Sequence, residues 1–366
     1  MVKGECVMKI RSQYMFLGSF VITTIFFLLP IIFISCPVDL PEEQDEQYII
    51  NSELDAILKE LLENTADTPH LVTLKASNAV GVAMALGANR DKYVNLDLSG
   101  STFPIIGDYA FDGCNNLIGI IIPNSVTIIG NYAFNYCRNL TEIIIPNRVT
   151  TIGEYAFRSC YSLTSVNIPN SVINIVLLPF IYCYNLISVN VADDNPAYSS
   201  VDGILYDKNK INLIQYPTGK TGELIIPDSV TRIRNGAFFS TKVDSVIMGN
   251  SVTNIGGSAF SFSRLSSVTI SNSVTTIEQN AFSFLTRLTN INIPNSVTTI
   301  DNDAFRLADL VSVTFEGTIL SENFNEYAFF QNGDLREKFY ADNPTTGTPG
   351  TYTRTSTSSN AKWVKE

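Results

Sequence analysis

The chain has one histidine (His70) and one tryptophan (Trp363) in 366 residues, and it is short of positive charge. A single imidazole leaves His-based triads, Cys-His nucleophiles and His-rich metal sites without the partners they need. Lys and Arg number 24 against 35 Asp and Glu, for a net charge of −11. Neither nucleic acid nor an anionic lipid surface attracts such a chain. Charged residues make up only 16% of it, below the roughly 25% of an ordinary soluble domain. What fills the space is apolar: 45% of residues are hydrophobic and the mean hydropathy is +0.14, which excludes a disordered protein. The length allows either two or three globular domains or one elongated array.

Part of the apolar excess sits in residues 1–35, which read as an export signal. Lys3, Lys9 and Arg11 outweigh Glu5, and no charge then appears until Asp39. The run from Met15 to Ser35 is long enough to span a bilayer, so an uncleaved anchor remains an alternative. Its ending, Phe33-Ile34-Ser35-Cys36, resembles a bacterial lipobox, in which Cys36 is lipidated and becomes the mature N-terminus. Residues 36–50 then form an acidic tether with no base, too polar to fold alone.

The rest is periodic. Phe recurs at 111, 134, 157 and 180, then at 238, 260, 282, 305 and 329, at intervals of 22–24 apart from one gap of 58. Ile-Pro-Asn-x-Val keeps the same step at Ile122–Val126, Ile145–Val149, Ile168–Val172 and Ile293–Val297, with Asp in third place at Ile226–Val230. A second apolar residue follows three positions later at Ile129, Ile152, Ile175, Ile233, Ile255, Ile277 and Ile300. Such a period, with Leu-x-x-Ile-x-Ile, is the signature of a leucine-rich-repeat solenoid. In Leu140–Ile145 the alternation predicts a short strand, Pro146-Asn147 a turn, and Val149, Ile152, Ala156 and Phe157 an apolar return along the outer side. One coil leaves its apolar face wet, so coils must stack. The expectation is an α/β-type repeat solenoid over residues 99–335 with a parallel strand ladder of about nine rungs.

Residues 51–98 are expected to supply the N-terminal cap. Ser52 caps a helix carrying Leu54, Ile57, Leu58 and Leu61 on one face. A strand at Leu71–Leu74, a small-residue helix around Asn78–Leu86 and a strand at Tyr93–Leu98 follow. Inside the long gap, residues 192–220 read as an island: two alternating runs around a polar turn, a hairpin lying against the solenoid. Residues 336–366 form the C-terminal cap and tail. There Asp334–Tyr340 is a last helical turn, and Trp363 tucks Tyr352–Arg354 and Lys362–Val364 into a hairpin.

Thr151–Cys160 (TIGEYAFRSC) and Leu163–Val172 (LTSVNIPNSV) resemble the BspA-like leucine-rich-repeat family of bacterial surface proteins, and Asn195–Tyr206 resembles that family's recurrent insertion. The resemblance covers roughly residues 93–335. It implies adhesion, meaning binding to host matrix proteins, other bacteria or host receptors, without a ligand motif that maps residue by residue. Val176–Pro179, where Val-Leu-Leu-Pro replaces Gly-x-x-Ala, and Met248-Gly249 depart from the pattern and predict irregular rungs.

Two sets of residues invite a chemical reading. Cys114, Cys137, Cys160 and Cys183 recur three positions after Phe. Equivalent parallel side chains point the same way, which makes a disulfide dihedral hard to reach. Later coils place Ser263, Leu285 and Ala308 in the slot, so buried structural thiols are expected. Asp193, Asp194 and Asp202 lack the spacing of a calcium loop.

The outward strand positions form a concave face: Glu142, Ser165, Asn167, Ser188, Asn190, Glu223, Ser267, Thr269, Asn290, Asn292, Ser312 and Thr314, with Gly119, Ile121, Ile144, Ile225, Ser245 and Ile247. Short, mostly uncharged and free of aromatics, it offers no platform for sugars and no paired carboxylates for glycoside cleavage. It suits an extended polypeptide or a protein surface. The reading is therefore a lipid-anchored surface protein that binds another protein, with an envelope scaffold facing a partner of the same cell as the alternative. No catalytic residues, metal, cofactor, nucleic acid or small-molecule ligand are expected.

Overall fold

The computed structural model describes residues 54–330, 332–358 and 361–366. The export segment, Cys36, the acidic tether and Ser52 lie outside them.

Each repeat places one short strand on a common ladder. The strands are Leu117–Ile121, Glu142–Ile144, Ser165–Ile168 and Ser188–Val191, then Gly222–Ile225, Val243–Ile247, Ser267–Thr269, Asn290–Ile293 and Ser312–Phe315. Pairing is parallel and in register: Asn167 faces Asn190, Ser245 faces Ser267, and Asn290 faces Ser312. Two more strands precede them: His70–Thr73 pairs in parallel with Val94–Asp97, which pairs in parallel with Leu117–Ile121. The N-terminal cap thus continues the ladder and brings the long strands to eleven. A capping Asn78 accepts the Gly81 N–H at 2.8 Å and starts the cap helix Ala79–Ala88 between those two strands.

The outer side of the coil carries no helix. It holds a second ladder of two-residue strands, from Ile105–Ile106 through Asn174–Ile175 and again from Arg232–Ile233 through Thr299–Ile300. Past each, the chain turns with two residues in the left-handed region, two before and two after the repeat Phe. Tyr132 (φ 54°) and Tyr136 (φ 54°), or Ser258 (φ 54°) and Phe262 (φ 58°), are examples. A non-glycine residue there costs about 1–2 kcal/mol and interrupts any run of helical dihedrals. The compensation is visible in the hydrogen bonds. Tyr109, Phe111 and Gly113 N–H donate to Asn131, Ala133 and Asn135 carbonyls of the next rung at 2.7–2.9 Å, and the pattern repeats along the array.

Between the two ladders runs a column of rings. Phe111, Phe134, Phe157 and Phe180 stack at centroid distances of 5.1–5.5 Å. After the island Tyr216 starts a second column that continues through Phe238, Phe260, Phe282, Phe305 and Phe329. Rung spacing sets the ring spacing, since parallel strands lie about 4.8 Å apart. Each buried ring removes about 150–250 Å² from water, so this column is a principal cohesive element between rungs, beside the buried Val, Ile and Leu columns.

The island, expected as a hairpin lying against the solenoid, is inserted into the stack. Tyr198–Val201 pairs antiparallel with Ile204–Asp207, which pairs antiparallel with Asn212–Gln215. Asn212–Gln215 then pairs in parallel with Arg232–Ile233 and joins the second outer ladder. Alternate residues face opposite ways: Leu205 and Ile214 pack into the N-terminal core, while Ile204, Tyr206, Leu213 and Tyr216 pack into the C-terminal one. The cause is in the composition. Ile204-Leu205-Tyr206 and Leu213-Ile214 are continuous apolar runs, as strands buried on both faces require.

At the far end Gly350–Thr353 pairs antiparallel with Ser312–Phe315, and Val364–Lys365 pairs in turn with Gly350–Thr353. Trp363 is fully buried, its indole N–H donates to the Asn332 carbonyl, and the Arg354 guanidinium lies 4.9 Å from its ring centre. These two strands cover the last open edge.

Candidate functional site

The long-strand ladder presents one face to solvent. Glu142, Ser165, Asn167, Asn190, Glu223, Ser267, Thr269, Asn290 and Asn292 are exposed on it, with Ile144, Ile225 and Ile247 among them. Ile225 is 65% exposed, a large uncompensated apolar area for one side chain. In-register pairing sets Ile225 beside Ile247 and Ile144 beside Ile121, so the isoleucines come in short rows framed by polar neighbours. Several of the polar groups satisfy one another. The Asn190 amide donates to Asn167 Oδ1 at 3.1 Å, the Ser245 hydroxyl to Glu223 Oε2 at 3.1 Å, and the Asn292 amide to Glu316 Oε1 at 2.6 Å.

Five positions read as outward, Ile121, Ser188, Ser245, Ser312 and Thr314, are only half-exposed. Ser312 and Thr314 lie inside the sheet, because the tail strand continues it and Thr314 shares a 3.0 Å hydrogen bond with Thr351. Ser188 is overlain by the island at Gly203, where a Cβ would come within 2.5 Å of the Ser188 hydroxyl. Gly119, also read as outward, is buried beside Asn95. Its missing side chain leaves a shallow 130 Å³ depression shared with Ile121, Glu142 and Ile144.

The turn side differs in chemistry. Tyr109 and Tyr132 stack at 4.9 Å, Phe262 and Phe284 at 4.3 Å, and the Arg158 guanidinium sits between the Tyr136 and Tyr182 rings at 5.4 and 5.6 Å. Two adjoining cavities open here, of 430 and 640 Å³, sharing Leu177, Leu178 and Asn235. They lie where the island parts the outer ladder, at the departure from the repeat in Val176–Pro179. The concave-face reading passed over them. The recurrence of Tyr at 109, 132 and 155 was the signal that could have found one wall.

The four repeat cysteines are free and buried. Cys137, Cys160 and Cys183 thiols donate to the carbonyls of Phe111, Phe134 and Phe157 on the preceding rung at 3.0–3.2 Å. Burial pushes the Cys114 thiol up to about 12 and holds Cys137 and Cys160 well above the ordinary thiol range. A thiol so placed is not a nucleophile at neutral pH. In the second half Thr241, Ser263, Leu285, Ala308 and Asn332 occupy the slot, all buried. The island acids serve structure: Asp207 accepts from the Ile211 and Asn212 backbones, and Asp194 from the Asn170 amide. Among the described residues no group of three or more His, Cys, Asp or Glu side chains could hold a metal ion, and no helix is long and apolar enough to cross a membrane.

Parallel coils of 22–24 residues, a one-sided face of parallel strands and a stacked Phe column define a leucine-rich-repeat solenoid. The profile of the BspA type leucine rich repeat region matches residues 91–209 and 209–336 in six copies, and the chain belongs to that family. Among solved structures it is similar to the pneumococcal vaccine antigen PcpA, at 25% identity and a TM-score of 0.56 over 61% of this chain; it spans 57% of that chain. A leucine-rich cell surface protein of Faecalibacterium prausnitzii matches at 24% identity and a TM-score of 0.50, over 66% of this chain and 81% of that one, and shows the fold alone. No curated protein matches. Repeat proteins of this kind are typically non-enzymatic binding scaffolds, and surface members of the family point to protein–protein interaction.

Proposed function

We propose that the chain is a lipid-anchored protein of the bacterial surface whose long-strand face binds another protein, in adhesion to host matrix or to other cells. The observation that carries the reading is the row of exposed Ile225 and Ile247, with Ile144 further along, on a sheet face whose other exposed side chains are Ser, Thr, Asn and Glu. An exposed apolar row with a polar surround is the anatomy of a protein-binding patch. Cys36 supplies the anchor, and the acidic tether holds the array away from the membrane. Binding is tested with purified matrix proteins against the parent, Asn167→Arg and Asn292→Arg. Loss of binding in these variants is expected, and unchanged binding in both removes this face from consideration. Palmitate labelling of intact cells reports on the anchor: label retained by Cys36→Ala contradicts the lipobox. Protease shaving of whole cells separates adhesin from internal scaffold, since a chain untouched until lysis does not face outward.

A further inference from the structure

The cavities on the turn side have a composition that the rest of this acidic protein lacks. Their linings include Arg158, Arg232 and Arg234 and no Asp or Glu. Arg232 is partly neutralised by Glu278 at 3.3 Å, but neither Arg158 nor Arg234 has a carboxylate within ion-pair distance among the described residues. Glu154 and Glu278 stand beside the cavities without lining them. In a chain of net charge −11, Arg232 and Arg234 on the smaller cavity and Arg158 on the adjoining larger one make a local cationic stretch.

The walls add ring faces and amides. Tyr132, Tyr155, Tyr182 and Phe239 line the larger cavity, with Asn235 and Gln279 between them. Such a wall offers flat apolar surface for the C–H face of a pyranose and both donors and acceptors for its hydroxyls. Both volumes, 430 and 640 Å³, fall in the range of about 300–1,000 Å³ that holds small ligands. The recess is built into the fold. Leu178 (φ 44°) stands where other repeats carry Tyr109, Tyr132 and Tyr155, and Gly236 opposite it has no Cβ; one there would come within 2.5 Å of Leu178. At the adjacent edge the Ile175 N–H already donates to the Tyr198 hydroxyl at 2.7 Å, so that donor is closed to a peptide strand.

We propose that this junction recess is a binding site for a short carboxylate-bearing oligosaccharide, with Arg234 holding the carboxylate in the smaller cavity and the aromatic lining of the adjoining larger cavity, Phe239 among it, packing against a sugar face. Planar guanidinium groups recognise carboxylates through paired hydrogen bonds, which an ammonium cannot reproduce. The site is separate from the strand face and stands whether or not that face binds protein.

The test uses the purified chain and calorimetry with sialyllactose, a galacturonate tetramer, lactose, maltotetraose and a poly-glutamate peptide. At least one carboxylated sugar is expected to bind saturably, with both neutral sugars weaker by at least about tenfold. Sialyllactose alone assigns the carboxylate to a terminal acidic sugar; the galacturonate alone assigns it to a uronate polymer. Arg234→Glu alters an exposed side chain without an ion pair and should weaken binding by at least about tenfold, as should Asn235→Arg, which fills the shared wall. Arg138→Glu, on the same side but outside both cavities, should leave it unchanged. Equal binding of neutral sugars, indifference to Arg234→Glu, binding of the peptide alone, or no saturable binding by any sugar overturns the proposal.

Discussion

The strand face and the turn side are made from the same repeats and differ in almost every respect. Along the strand, in-register pairing lines up short side chains, and any apolar excess shows as a flat row such as Ile225 and Ile247. Along the turns, left-handed residues throw large side chains outward, and the rows are aromatic or arginine: Tyr132 on Tyr109, Phe262 on Phe284, Arg158 between two tyrosines. The strand face is also interrupted at the island, where among the described residues no pairing joins Ser188–Val191 to Gly222–Ile225, but it opens only a shallow 130 Å³ depression elsewhere. The turn side is broken where the island enters, and that break opens the two large cavities. Periodicity makes surfaces, and a lapse in periodicity makes a recess.

The largest expected effect falls on what the two sides share. Phe157 is fully buried with rings stacked on both faces, so Phe157→Ala should cost about 3–5 kcal/mol in denaturant unfolding. If it cost under about 1 kcal/mol, the ring column would not be what joins the rungs.

Alkali should come next. An unfolded thiol ionises near pH 8.5, whereas burial keeps Cys114 neutral up to about 12 and also raises Cys137 and Cys160. The folded state therefore holds more protons above about pH 9, and its stability falls as pH rises towards the folded values. Burial likewise lifts Tyr206 and Tyr216 to about 12, which adds a second loss from about pH 10 upward. Urea midpoints at neutral pH and at about pH 10 measure the fall, which Cys137→Ala should make shallower.

The smallest effect distinguishes the two sides by sign. Ser258 lies at φ 54°, so Ser258→Gly should relieve backbone strain and gain about 0.5 kcal/mol. Ser267 is in a strand, and Ser267→Gly should lose about 0.5–1 kcal/mol. Equal signs in thermal melts would remove the claim that the turns carry strain.

The repeat was legible because every column reports the same burial. Val126, Val149 and Val172 are fully buried, as are Phe134 and Phe157, and a periodic apolar pattern has only one stacked solution. The short strands of the outer ladder were not legible, since two residues such as Thr151-Ile152 carry no alternation to read. Nor were the left-handed turns, because Tyr132, Ser159 and Leu178 are not residues that announce a positive φ. The island was seen as a hairpin, but its placement depends on both faces of Ile204–Tyr206 being buried, which only the neighbouring cores reveal. On the strand face, full exposure followed from alternation except at Gly119, Ile121, Ser188, Ser245, Ser312 and Thr314; at Ser188 the island lies over the face, and at Ser312 and Thr314 the tail extends the sheet.

The proposed protein-binding surface is the strand face, and one comparison of variants bears on it directly. Surface plasmon resonance of a matrix protein that binds the parent should be repeated with Ile225→Arg on the strand face and Arg234→Glu on the turn side. Ile225→Arg is expected to weaken binding by at least about tenfold with unchanged melting, while Arg234→Glu stays within about twofold of the parent. Parent-like binding by Ile225→Arg together with loss in Arg234→Glu would contradict the account and move protein recognition to the turns.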